Sequence, residues 1–149
     1  MPTGGHNAHA HHFGRQQAGT GTYLIAWQET LPVGCCLILW EGCVAPQLRA
    51  ALPEAVEISN VHVHPEARGR GIGTALIQAA EHRVAARGCG LITIGVTEDN
   101  PRAALLYARL GYRDTGLRST ARYRYPDDNG VDREVVEHNI TLAKRIDGR

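Results

Sequence analysis

The stretch Val61-His62-Val63-His64-Pro65-Glu66-Ala67-Arg68-Gly69-Arg70-Gly71-Ile72-Gly73-Thr74-Ala75-Leu76-Ile77 decides how this chain is read. A strand-like run ends at Pro65, which has no N–H for a ladder. Gly69, Gly71 and Gly73 follow, and then Ile72, Leu76, Ala79, Ala80, Arg83 and Val84 recur at helical spacing. A glycine-rich loop therefore joins a strand to a long helix. A helix start exposes unpaired N–H groups and the positive end of its dipole, and glycine lets an anion approach the backbone closely. Arg68 and Arg70 can add charge-assisted hydrogen bonds. These features imply a phosphate-bearing ligand. A Walker loop is excluded, because its lysine is missing: the only lysine in the chain is Lys144. A Rossmann fingerprint counted from Gly69 would need glycine where Thr74 stands.

Upstream, Thr22–Trp27 and Val33–Trp40 are apolar and rich in strand formers, separated by Glu29-Thr30-Leu31-Pro32, which predicts a hairpin. Residues 43–53 read as a loop with one helical turn, and Val56–His64 as a third strand. Downstream, Gly88 stands where a helix would close and Leu91–Val96 reads as a strand buried on both faces. Asn100-Pro101 supplies an N-cap residue and a first-turn proline for a helix to about Leu110, closed by Gly111. Tyr112 to Ile146 alternates as two strands around the turn at Pro126-Asp127-Asp128-Asn129-Gly130. The order predicts a mixed α/β sheet of one domain over residues 21–147. Residues 1–20, with His6, His9, His11 and His12 among Gly, Ala and Gln, read as a flexible leader.

Two segments together carry a resemblance. Residues Val61 to Ile77 resemble the acetyl-CoA-binding signature of the GNAT N-acetyltransferase superfamily, a strand ending in V-x-P followed by an arginine and paired glycines that open a helix. Asn100-Pro101-Arg102-Ala103-Ala104-Leu105-Leu106-Tyr107-Ala108-Arg109-Leu110-Gly111-Tyr112 is similar to the family's second signature helix, at the distance the family uses. The resemblance implies a mostly antiparallel sheet flanked by helices, splayed at a cofactor slot, with acetyl-CoA as co-substrate and no metal. It implies that the backbone of Val61, His62 and Val63 pairs with the pantetheine arm. The amides of Arg68, Gly69, Arg70, Gly71, Ile72, Gly73 and Thr74 would receive the pyrophosphate. Asn100, Ala103 and Tyr107 would contact the cofactor, and Tyr107 would protonate the departing thiolate. A bulge in the third strand would leave an amide near Val61 to meet the oxyanion.

Transfer of an acyl group to an amine also needs a base. Glu57 stands at the spacing at which some family members place one. Strict alternation puts Glu57 on one face with Ser59, Val61 and Val63, and His62 on the other. His62, His64 and water remain as alternatives. The family fold ordinarily starts with a strand and two helices ahead of the hairpin, for which residues 1–20 are a poor match, so the chain reads as an N-terminally short member. Its first hairpin would then leave an uncovered strand edge, which predicts a homodimer.

The bulk properties agree with this reading. A 149-residue chain with 43% hydrophobic and 21% charged residues suits one globular domain. A net charge of +1 excludes a broad nucleic-acid footprint, and no apolar run nears the ~18 residues of a membrane span. No secretory signal is visible, so the expected location is the cytoplasm. Cys35, Cys36, Cys43 and Cys89 fit no zinc template and are expected to be free thiols. The expected activity is acetylation of a primary amine on a small molecule or peptide. The alternative is an idle acyl-CoA-binding domain used for sensing or assembly.

Overall fold

The computed structural model describes residues 20–43 and 45–146. The elements are β1 (Gly21–Gln28), β2 (Leu31–Leu39), α1 (Pro46–Ala51), β3 (Val56–Val63), a 3-10 turn (Pro65–Ala67), α2 (Ile72–Ala86), β4 (Leu91–Thr97), α3 (Pro101–Arg109), β5 (Arg113–Pro126) and β6 (Asp132–Arg145). The strands form one six-stranded sheet in the order β1-β2-β3-β4-β6-β5. The pairs β1/β2, β2/β3 and β5/β6 are antiparallel. β3 and β4 are joined through α2, the kind of crossover that parallel neighbours require. The expected element order and mixed α/β class are therefore what the chain forms. The leader expected over residues 1–20, with its histidines, lies outside the described residues except for Thr20.

Two compact units divide the described chain, one running to Thr93 and including Arg145 and Ile146, the other running from Ile94 to Lys144. In the first, Cys36, Leu37, Ile38 and Leu39 are all buried, so β2 has a covered surface on both sides. Helix α2 covers one of them: a Cβ on Gly34 would come within 3.1 Å of Leu76 Cδ1 and 3.2 Å of Ile72 Cγ2. Cys36 Sγ lies 3.9 Å from the Leu76 carbonyl. Gly34, Cys36 and Ile38 therefore face α2, and Cys35, Leu37 and Leu39 face away from it. The buried side of α2 is Leu76, Ile77, Ala80 and Val84, while Ala79 and Arg83 are exposed. The sequence pattern had included the last two and missed Ile77.

Local chemistry also adjusts the boundaries. The first hairpin turns on Glu29 and Thr30 alone, and Leu31 and Pro32 already belong to β2. Glu29 takes φ 57°, which tightens the turn to two residues. Pro32 is tolerated because β2 begins to pair with β3 only at Gly34. Residues 46–51 form a short helix begun by Pro46, where a loop with one helical turn was expected. β3 stops at Val63, because the His64 imidazole caps the following 3-10 turn, Nδ1 accepting from the Glu66 amide at 3.3 Å.

In the second unit, Tyr107, Tyr112, Thr141 and Leu142 are buried. Helix α3 closes where Gly111 N donates to Ala108 O at 3.1 Å and Tyr112 N donates to Tyr107 O at 3.0 Å. The β5–β6 hairpin turns around Asp127, whose Oδ1 accepts from the Asn129 and Val131 amides at 2.9 Å each. Arg133 Nε holds its Oδ2 at 2.9 Å, and these bonds keep the Asp127 carboxyl below the usual range.

Candidate functional site

The loop after β3 builds an anion cradle from backbone alone. Gly71 is the N-cap of α2 in the left-handed conformation, at φ 80°, and has no side chain with which to cap. The first intrahelical bond runs from Ala75 N to Gly71 O at 3.0 Å, so the amides of Ile72, Gly73 and Thr74 stand ahead of it at the helix start. Gly69 is also left-handed, at φ 79°, and a Cβ on either glycine would meet no atom within 4 Å. Both positions are thus backbone-strained for other residues and open in front, the combination a bound phosphate needs. Arg68 Nε donates to the Val63 carbonyl at 3.1 Å, which ties the loop back to the end of β3. Arg70 reaches Gln28 Oε1 at 3.5 Å. These groups fit the pyrophosphate of a coenzyme A molecule.

Strand β3 is where the structure departs from strict alternation. Its register against β2 pairs Leu39 with Glu57, Ile38 with Ile58 and Leu37 with Ser59, then resumes at Cys35 with His62 and Gly34 with Val63. Asn60 and Val61 therefore stand opposite the single Cys36, a β-bulge, and Asn60 adopts φ 53°. The extra residue reverses the phase of everything beyond it. Glu57, Ser59 and His62 share the face of Leu37 and Cys35, directed away from α2, while Val63 lies on the α2 side with Gly34. The expectation that His62 opposes Glu57, and that Val63 accompanies Glu57, is corrected by this bulge. The bulge itself is the one that the resemblance implied.

His62 is half-buried, and its Nε2 is closed off with no hydrogen-bond partner among the described residues. Such a group costs about 1–3 kcal/mol when left unsatisfied and calls for an explanation. Burial, together with the nearby positive charge of Arg68 and the neighbouring His64, pushes the imidazole below its ordinary pKa. His62 is accordingly neutral near pH 7. Glu57 is half-buried too.

In the second unit, Asn100 caps α3. Its Oδ1 accepts from the Ala103 amide at 3.2 Å, with Pro101 in the first turn. The Asn100 side chain, expected to contact cofactor, thus has its oxygen engaged within its own helix. Tyr107 is 6% exposed and its ring meets that of Tyr112 edge-on at 6.4 Å. Ala103, Leu106 and Leu110 are half-buried beside it, while Leu105 is exposed, so the inward side of α3 is the one its spacing predicted.

All four cysteines are free. Cys36 and Cys43 are buried, and burial pushes the Cys36 thiol up to about 12, far from a reactive thiolate. Among the described residues there is no cluster of three or more His, Cys, Asp or Glu able to hold a metal, and no helix long and apolar enough to cross a membrane.

The described chain thus combines an open helix start after a bulged strand with a second helix that carries a buried tyrosine. The sequence model of the acetyltransferase (GNAT) family matches residues 3–112, and the chain belongs to that family. Solved structures share the architecture. The PaiA N-acetyltransferase of Thermoplasma acidophilum, in complex with coenzyme A, superimposes with TM-score 0.64 at 15% identity, over 94% of this chain and 70% of that one. The ribosomal-protein-S18-alanine N-acetyltransferase of Escherichia coli gives TM-score 0.62 at 21% identity, over 90% and 74% of the two chains. YncA of Salmonella typhimurium, a putative acetyltransferase with its cofactor acetyl-CoA, gives 0.64 at 21% identity, over 93% and 72%.

Proposed function

We propose that the chain transfers an acetyl group from acetyl-CoA to a primary amine of a small molecule or peptide by direct attack. The observation that carries this reading is the uncapped start of α2 behind left-handed Gly69 and Gly71, open in front and flanked by Arg68 and Arg70. The amides of Ile72, Gly73 and Thr74 receive the pyrophosphate there, and the backbone of Val61, His62 and Val63 runs beside the pantetheine arm. The amine nitrogen attacks the thioester carbon, and charge builds on the carbonyl oxygen, which an amide at the Asn60–Val61 bulge stabilises. The C–S bond then breaks, and the Tyr107 hydroxyl protonates the thiolate. Glu57 is the base that its place in the motif suggests.

Thioester turnover with a panel of amines tests the reading, by following thiol release from acetyl-CoA. A peptide with an N-terminal alanine is the first acceptor to try, given the E. coli neighbour named for that residue. Thermal stabilisation by acetyl-CoA with no thiol release above background for any amine would leave a binding domain without catalysis. The outer strand β1 exposes Ile25 and Trp27, and Leu31 at the start of β2 is exposed too. A second copy covering them supports the homodimer, which sedimentation across the micromolar range checks; a monomer throughout would exclude it.

A further inference from the structure

Two kinds of glycine surround the anion cradle. Gly69 and Gly71 are left-handed and open in front, whereas Gly34 is buried in β2 and lies outside the left-handed region. What Gly34 supplies is therefore space. An added Cβ would meet three groups at once: the His62 carbonyl oxygen at 3.0 Å, Leu76 Cδ1 at 3.1 Å and Ile72 Cγ2 at 3.2 Å. The Leu76 methyl ends a side chain that can turn aside. The other two have no such freedom, since the carbonyl belongs to the backbone of β3 and Ile72 is β-branched and stiff at χ1. A methyl at position 34 must push the first turn of α2 and the end of β3 aside by a few tenths of an ångström.

We infer that Gly34 is a positioning residue for coenzyme A. Its missing side chain sets how closely the open start of α2 approaches the end of β3. It thereby sets the spacing between the amides that take the pyrophosphate and the backbone that takes the pantetheine arm. This rests on the acyl-transfer reading and deepens it. A molecule that engages both regions at once gains affinity from their fixed spacing, because binding at one brings its other part to the second. A displaced helix start leaves each region intact and misfits the whole molecule.

The bonds around Gly34 favour this role. Both groups that a Cβ would displace are parts of the cofactor site: Ile72 carries a cradle amide, and His62 lies in the run beside the pantetheine arm. Gly34 pairs with Val63, and the Val63 carbonyl is the one that Arg68 Nε holds at 3.1 Å. One step further, His64 N donates to Val33 O at 2.7 Å and fixes the end of β3 against β2. The Gly34–Val63 row is thus where strand end, loop and helix start are joined, and all of it lies in the first compact unit.

The experiment compares Gly34→Ala with Val84→Ala, a buried residue at the far end of the same helix. Each is assayed for Tm, for coenzyme A affinity by calorimetry, and for KM and kcat with whichever panel amine gives the fastest thiol release. Both variants should lose Tm. Gly34→Ala alone should weaken coenzyme A and raise the acetyl-CoA KM roughly 10-fold, with kcat at saturation close to wild type. Unchanged affinity and KM in Gly34→Ala overturn the assignment and leave acyl transfer standing. An equal weakening in Val84→Ala overturns it too, because affinity would then follow stability alone. Should Gly34→Ala fail to fold, Ile72→Ala decides from the helix side: it keeps the backbone amide and removes the Cγ2 that sits over Gly34, and an unchanged affinity removes the role from Gly34. Absence of thiol release from wild type with every amine overturns the acyl-transfer reading, and the calorimetry then decides on Gly34 by itself. Absence of coenzyme A binding to wild type overturns both.

Discussion

Helices α2 and α3 both follow a strand, yet they begin in opposite ways. The start of α2 is a left-handed glycine with no side chain to offer, and its first amides are left to whatever arrives in front. The start of α3 is closed by its own Asn100 oxygen on the Ala103 amide. The difference separates two uses of a helix. An open end presents backbone dipoles to an anion. A closed end makes a stable rod, and such a rod can hold a side chain in place, as α3 holds Tyr107 two turns along, buried against Tyr112. In the acyl-transfer reading α2 works through its end and α3 through its side.

The largest effect should come from breaking the open end. Gly71→Val places a β-branched residue at φ 80° and a side chain in the space before the amides. Thermal stabilisation by coenzyme A should vanish, and undiminished stabilisation would put the phosphate elsewhere. Breaking the side of α3 comes next. Tyr107→Phe keeps the ring and its contact with Tyr112, so melting temperature and acetyl-CoA affinity should hold while kcat falls roughly 10–10³-fold. An unchanged kcat, measured where chemistry limits the rate, removes Tyr107 from the mechanism.

Arg68→Ala probes whether the loop is held by more than glycine. It removes the tie to the Val63 carbonyl and a cation beside the amides. Coenzyme A affinity by calorimetry should weaken by about 1.5–3 kcal/mol, roughly 10–150-fold; an unchanged affinity assigns Arg68 to neither task. The smallest effect belongs to the closed end. Asn100→Ala should cost about 1 kcal/mol of stability in urea unfolding, and Asn100→Asp should restore it. A large loss of acetyl-CoA affinity in Asn100→Asp, despite restored stability, would show that the Asn100 amide serves the cofactor as well as the cap.

The linear pattern determined most of this molecule. Pro65, the alternating glycines and the helical spacing beyond them placed a glycine loop between β3 and α2, because these residues act through their own backbone torsions. Asn100-Pro101 and Gly111 bounded α3 for the same reason. The two strands that close the chain followed from alternation on either side of a strong turn.

The tertiary structure alone decided which side chains meet. Alternation assumes one residue per step, and β3 spends two residues, Asn60 and Val61, against Cys36. That single insertion sent His62 to the face of Glu57 and Val63 to the face of α2. A faint signal was present, since asparagine is poor in strands, tolerates φ above zero, and here follows Ser59 so that two polar residues in a row interrupt the alternation. An asparagine alone does not say that a bulge forms, because the partner strand sets the register. The physical reason is the range of the forces: torsional preferences and caps act over a few residues and are written locally, whereas the phase of a strand and the burial of one imidazole nitrogen depend on strands far apart in sequence.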